Sequence, residues 1–195
     1  MRELSFESTQ SMGQSEFAGW VEKRAHWDDN RYELLNGRVV MTPQASHPHG
    51  WIEGQLLRLI GNHAADHRLG EVFGSSQGFE LPSGDTVEPH VSFVSGERWS
   101  QTTASPGRFL EVVPDLVVEI ASESTASRDR GKKKAIYERN GVREYWLVDW
   151  RSREVTVFHL VGGRFDEGTV TGPGGRALSS VLAGFEVSVG DLLAH

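Results

Sequence analysis

The chain has 195 residues, is 37% hydrophobic with six tryptophans, and carries a formal charge of −7, a composition that fits one globular domain rather than a nonspecific coat for nucleic acid. It contains no cysteine, which excludes disulfides, thiolate metal centres and a cysteine nucleophile. No apolar run approaches the roughly 20 residues of a membrane helix, so no membrane partner is expected.

The first 15 residues lack the charged start and apolar stretch of a secretory signal, so the cytoplasm is the expected location. Residues 1–15 are expected to be a flexible tail before a single domain over residues 16–195. From Ser15, Phe17, Trp20, Val21 and Trp27 recur at helical spacing. Two strand-like runs then flank Asn36-Gly37, the pair that supplies the positive φ angles of a type I′ hairpin turn. From His49, Ile52, Leu56, Leu59 and Ile60 mark a second helix that should stop at Gly70.

Strands are expected in "EVFGS", "GFELP" and "VEPHVSFVS", followed by a long surface loop over residues 95–111. "PDLVVEI" reads as a buried strand. "SESTASRDRGKKKAIYERNG" passes from loop to a helix ending at Gly141. "VREYWLVDW" and "REVTVFHL" form a strand pair turning near Asp149–Ser152. The order predicts a mixed α/β (α+β) fold with a central mixed sheet flanked by helices.

Glu119 interrupts the apolar run Leu116, Val117, Val118 and Ile120. Burying an ionised carboxylate costs several kcal/mol unless a cation, a hydrogen-bond network or a metal ion offsets it, or it takes up a proton. Asp115 lies four residues away on the same strand, about 13 Å along its axis. Magnesium holds oxygens at about 2.1 Å, so the two cannot share one ion, and Asp115 is expected to cap the strand or bind backbone amides.

"VEPHVSFV" repeats the layout of "VPDLVVEI", so His90 could reach Glu119 from a neighbouring strand. An imidazole suits zinc, manganese or iron better than magnesium, and Glu88, two positions earlier, could supply an oxygen instead. Lys133 stands three residues before Ile136 and four before Tyr137, a spacing that Lys132 and Lys134 each meet only once. Lys133 should therefore point inward, either to pair with Glu119, hold a phosphate or orient water, or to pack its stem while its ammonium reaches solvent. The cluster of seven basic residues from Arg128 to Arg143, including Arg130 and Lys132, is either a solvated face or a grip for phosphates. No "GxSxG" elbow and no Walker loop is present.

Five stretches, "YELLNGRVVMTP", "HGWIEGQLL", "VEPHVSFVS", "PDLVVEIASEST" and "RDRGKKKAIYERNGVREYWLVD", occur in an order that resembles the Uma-type family of endonucleases, within the PD-(D/E)XK restriction-endonuclease-like superfamily. The resemblance implies a restriction-endonuclease-like core and hydrolysis of DNA with Mg²⁺ or Mn²⁺, zinc being a further option given His90. It places the family's roles on His90, Glu119 and Lys133, with Glu33 and His49 at further polar positions and Tyr137 nearby. Metal ligands would be Glu119, His90 or Glu88, and the Ile120 carbonyl, while Arg128, Arg130 and Lys132 would bind phosphates. A homodimer follows by analogy.

Two positions depart from the pattern. Ala121 stands where the superfamily has a strand lysine, a role that Lys133 would take over. His90 stands where the family has an aspartate, which removes one charge and one oxygen from any Mg²⁺ site. The resemblance therefore leaves two rivals to a DNA endonuclease: a noncatalytic binding module that keeps the fold, and a zinc or manganese hydrolase using His49, His90 and Glu119.

Overall fold

The computed structural model describes residues 6–24, 30–42, 47–103, 109–121 and 129–194, with the side chains of Asp129 and Arg130 excluded. Trp27 and Arg128 also lie outside the described residues. Part of the expected tail is a strand: β1 (Phe6–Ser11) pairs antiparallel with residues Arg38–Thr42, which form β3. Helix α1 (Gln14–Arg24) buries Phe17, and the hairpin of β2 (Arg31–Leu35) and β3 (Arg38–Thr42) turns at Asn36 and Gly37, with φ of 53° and 74°. Both values are the left-handed ones a type I′ turn requires.

Helix α2 (His49–His67) buries His49, Ile52, Leu56, Ile60 and Ala64, spaced three or four apart on one face. It ends one step earlier than the glycine signal implied, on Arg68 in the left-handed conformation. Gly70 instead opens β4 (Gly70–Gly74) at φ 151°, where a Cβ would collide with the Val94 carbonyl oxygen. This glycine serves strand packing rather than the helix end.

Short strands β5 (Phe79–Glu80) and β6 (Thr86–Val87) precede β7 (Val91–Ser95). The run "VEPHVSFVS" is thus divided, because Pro89 has no N–H to give a ladder. Residues 96–100 of the expected surface loop form a short helix, α3 (Gly96–Ser100), capped by the Ser95 hydroxyl.

Strand β8 (Leu116–Ile120) leads to a π-helical turn over Asp129–Lys133 and helix α4 (Lys134–Arg139). Strands β9 (Glu144–Asp149) and β10 (Glu154–Val161) follow, then β11 (Arg164–Phe165), β12 (Thr169–Thr171), β13 (Arg176–Leu178), β14 (Glu186–Ser188) and helix α5 (Val189–Leu192).

The larger sheet runs β11-β10-β9-β8-β7-β4, with β12 on β10; a second sheet runs β1-β3-β2-β6-β5, and β13 pairs β14. Strands β8 and β9 are parallel, whereas β7 and β8 are antiparallel, which makes the central sheet mixed as expected. Parallel neighbours need a crossover, and α4 lies within it.

Side chains alternate along β8. Leu116, Val118 and Ile120 join the core under α2, while Val117 and Ala121 join the opposite one with Ile136 and Tyr137 of α4. Glu119 shares the parity of the second set, so strand geometry directs its carboxylate toward α4. Among the described residues no helix is long and apolar enough to cross a membrane.

Asp115 closes the start of β8 as the sequence suggested. Its carboxylate accepts the Ser95 N–H at 2.8 Å and lies 3.3 Å from Arg98 Nε and 3.4 Å from Arg143 Nη1. Removing this buried carboxylate takes the acceptor from the Ser95 N–H and one partner from each of two partly exposed arginines. Asp115→Ala should lower the unfolding free energy by about 1–2 kcal/mol, measured by urea denaturation with the m-value unchanged.

Candidate functional site

Glu119, fully buried, gathers side chains from four segments. Val91 pairs with Val118, so His90 falls beside Glu119 on the adjoining chain, and its Nδ1 lies 2.6 Å from Glu119 Oε2. From α4, the Tyr137 hydroxyl donates to Oε1 at 2.5 Å. Lys133 Nζ, at the end of the π-helical turn, sits 2.5 Å from the same oxygen. It also lies 2.9 Å from Glu33 Oε1, on β2 of the second sheet, and that oxygen accepts the Glu88 N–H at 2.9 Å. One ammonium thus joins an acid from each sheet.

These contacts fix the protonation pattern. Burial pushes the Glu119 carboxyl up, but Lys133 and His90 outweigh it and hold the group well below the ordinary carboxylate range. The short contact to an ionised carboxylate assigns the His90 proton to Nδ1. The Ile120 N–H also points at Nδ1, from 3.3 Å, and would be its partner only in the other tautomer. Burial lowers the His90 pKa despite Glu119, and it pushes Tyr137 above its usual range, with Glu119 adding to the effect.

His49, at the first turn of α2, joins the group edge-on, its ring centroid 4.4 Å from that of His90. Its Nε2 lies 3.2 Å from the Ile120 carbonyl oxygen, while its Nδ1 is buried without a hydrogen-bond partner. Burial and the neighbouring His90 lower its pKa to about 4, so the ring is neutral near pH 7 and donates from Nε2.

Glu88 turns elsewhere. Its Oε2 stands 3.6 Å from Arg31 Nε, and Arg31 Nη2 donates to the Glu88 carbonyl. Burial raises the Glu88 pKa to about 7 against the pull of Arg31. The expectation that Glu88 adds an oxygen beside Glu119 is therefore replaced by an ion pair with Arg31, a residue the sequence reading overlooked. Arg31 and Glu33 are two apart on β2 and share a face, which was the available signal.

A divalent ion would need oxygen ligands arranged around it. Both oxygens of Glu119 are already engaged, the Ile120 carbonyl accepts from His49, and Glu88 faces Arg31. Among the described residues no group of three or more His, Asp or Glu side chains is arranged to hold a metal ion. The cation between the two acids is the ammonium of Lys133.

The basic stretch is only partly described. Lys132 pairs with Glu7 of β1 at 2.8 Å, while Arg128 and the Arg130 side chain lie outside the described residues. Arg139 contacts buried Asp85 and donates to Asn36 Oδ1 at 2.7 Å, bracing the hairpin turn, and Arg143 supports Asp115. These last two cations serve the fold.

Two measurements probe the cluster. Lys133→Met leaves two buried acids without their shared cation and should cost about 3 kcal/mol, with Glu119→Gln added on top recovering part of the loss; a double-mutant cycle in urea should return a coupling above about 0.5 kcal/mol. The second concerns pH. Folded Glu88 binds its proton more tightly than the unfolded chain does, so its contribution to stability falls as pH rises from 4.5 to about 7. His49 acts oppositely, adding stability as pH rises from about 4 to 6.5. Glu88→Gln removes the first contribution alone, so its stability relative to the parent should grow from about pH 5 to pH 7, by at most about 1.4 kcal/mol per unit.

Comparison with known proteins agrees with this architecture. Residues 21–190 match the family described as "Uma2: Putative restriction endonuclease". An uncharacterized protein of Synechocystis sp. is 28% identical over 146 residues, covering 74% of this chain and 72% of that protein. A crystal structure of "a putative nuclease belonging to DUF820" from Anabaena variabilis shares the fold, with a TM-score of 0.71 and 18% identity over 86% of this chain and 92% of the other. With the family match extending over most of its length, the chain belongs to the Uma2 family and has a restriction-endonuclease-like fold.

Proposed function

We propose that this chain binds nucleic acid through its nuclease fold without cutting it. The observation that carries the reading is the position of Lys133 Nζ, 2.5 Å from Glu119 and 2.9 Å from Glu33 in a buried cluster. Hydrolysis of a phosphodiester by this class of site uses a metal-bound water and a metal-polarised phosphate. Here a single ammonium lies between the two acids, and the neutral imidazole of His90 brings one charge fewer than an aspartate would. Membership of the family described as "Putative restriction endonuclease" supports nucleic acid as the partner.

One observation favours the rival reading, a divalent-metal-dependent DNA endonuclease: His90, Glu119 and Lys133 meet at one point, as the family's motif requires. That reading needs an ion to displace the ammonium from Glu119. A zinc or manganese hydrolase using His49, His90 and Glu119 would need three ligands arranged around one ion, and among the described residues no such group is found.

Plasmid incubated with the protein and Mg²⁺ or Mn²⁺ should remain supercoiled, and duplex binding followed by fluorescence anisotropy should be the same with and without chelator. Nicking that disappears in both Glu119→Ala and Lys133→Ala would establish the endonuclease instead. His90→Asp supplies the missing oxygen and charge; newly gained, metal-dependent nicking in that variant is the expected sign that this position abolished cutting. Protein purified without chelator should carry neither zinc nor manganese in stoichiometric amount.

A further inference from the structure

Lys133 is sealed in the cluster, with its side chain 4% exposed, whereas the Arg31 side chain is 19% exposed at the cluster's edge. An anion approaching the cluster from solvent therefore meets Arg31 before it meets Lys133. Arg31 stands on β2 two residues before Glu33, on the same face of the strand, so the sheet fixes the guanidinium beside the acids. Its Nη2 donates to the Glu88 carbonyl, which holds the fork in one orientation.

The same guanidinium is underused. Its Nε–H is buried and has no hydrogen-bond partner; Glu88 Oε2, at 3.6 Å, lies beyond hydrogen-bond range. A buried donor left unmade costs about 1–3 kcal/mol, so the arrangement holds unused binding capacity on a side chain that is partly exposed, behind the Glu88 carboxylate. Such a fork matches two oxygens of one tetrahedral anion, and a pre-oriented guanidinium loses less freedom on binding than a mobile lysine does.

We infer that Arg31 is the phosphate anchor of this face, taking a nucleic-acid phosphodiester oxyanion on its free edge while Lys133 stays locked between Glu33 and Glu119. The inference rests on the nucleic-acid-binding reading and adds to it the residue that engages the backbone. Glu88 competes for the same edge, so the incoming phosphate must displace a carboxylate that makes no hydrogen bond to Nε. The anchor carries no base information; it positions the strand.

The test uses Arg31→Gln and Arg31→Lys in two arms. In the first, duplex affinity is followed by anisotropy across a salt series. Arg31→Gln should weaken the Kd about tenfold and lower the slope of log K against log salt by about 0.9, the value for one lost phosphate contact. Arg31→Lys keeps the charge without the fork and should fall between. In the second arm, inorganic phosphate is compared with chloride at equal ionic strength by thermal unfolding, and should raise the midpoint of the parent but not of Arg31→Gln.

If the parent binds no duplex, the nucleic-acid reading fails, and a phosphate shift that vanishes in Arg31→Gln still supports the anchor. If the parent shows no phosphate shift and both variants bind duplex with the parent's Kd and slope, the anchor is overturned. Should Arg31→Gln not fold, Arg31→Lys decides: weaker duplex binding with a reduced phosphate shift supports the fork, and parent-like values in both arms overturn it.

Discussion

A carboxylate with no solvent contact in the middle of a β-strand is the constraint around which this molecule is arranged. Glu119 keeps its charge because Lys133, His90 and Tyr137 supply what water would have supplied, two of them from one helical segment and the third from the neighbouring strand's approach. The requirement reaches further than the strand itself. Lys133 must also touch Glu33, so the second sheet is held against the first by a cation that neither sheet contains. A buried ion pair of this sort is seldom a net source of stability compared with an apolar replacement, but removing one member leaves an uncompensated charge. What the cluster does is join Glu33 of the second sheet to Glu119 of the first through one ammonium.

The turn that delivers the lysine is unusual in the same region. Residues 129–133 wind with π-helical spacing before α4 begins, and such wide turns concentrate at sites that must aim a side chain. Four residues separate Lys133 from Tyr137, which places both on the face of the helix that meets β8. The lysine and the phenol reach the same oxygen of Glu119, leaving the other for His90. The pattern is closed around the acid, and the histidines complete it as neutral groups, each donating one proton to a defined acceptor.

Much of this was legible in the sequence, for reasons that differ from residue to residue. The intrusion of Glu119 into an apolar run called for a partner, and the spacing of Lys133 to Ile136 and Tyr137 made it one candidate among several. The hairpin at Asn36-Gly37 and the parity of β8 needed nothing beyond local stereochemistry. What escaped were pairings between segments distant in sequence. Arg31 draws Glu88 away from Glu119 across 57 residues, and Glu7 reaches Lys132 across 125, distances over which periodicity carries no information. The tail was misjudged for a similar reason: "FESTQS" has no apolar alternation, and β1 exists because its backbone pairs with β3. Gly70 illustrates the reverse error, a glycine assigned to a helix end when its missing Cβ serves a close strand contact.

Position 90 then sets how many cations the cluster can accept. With histidine there, the acids around Lys133 are Glu33 and Glu119, and the ammonium satisfies both while the imidazole contributes a donor instead of a charge. An aspartate in that place would set a second carboxylate against Glu119 in surroundings of low permittivity, where like charges at such separation cannot both persist without further compensation. One lysine would no longer suffice, and a divalent ion becomes the economical remedy because it neutralises two acids while accepting oxygens from each. With histidine at position 90, just before β7, the cation beside Glu119 is the Lys133 ammonium and the imidazole adds a donor rather than a second carboxylate.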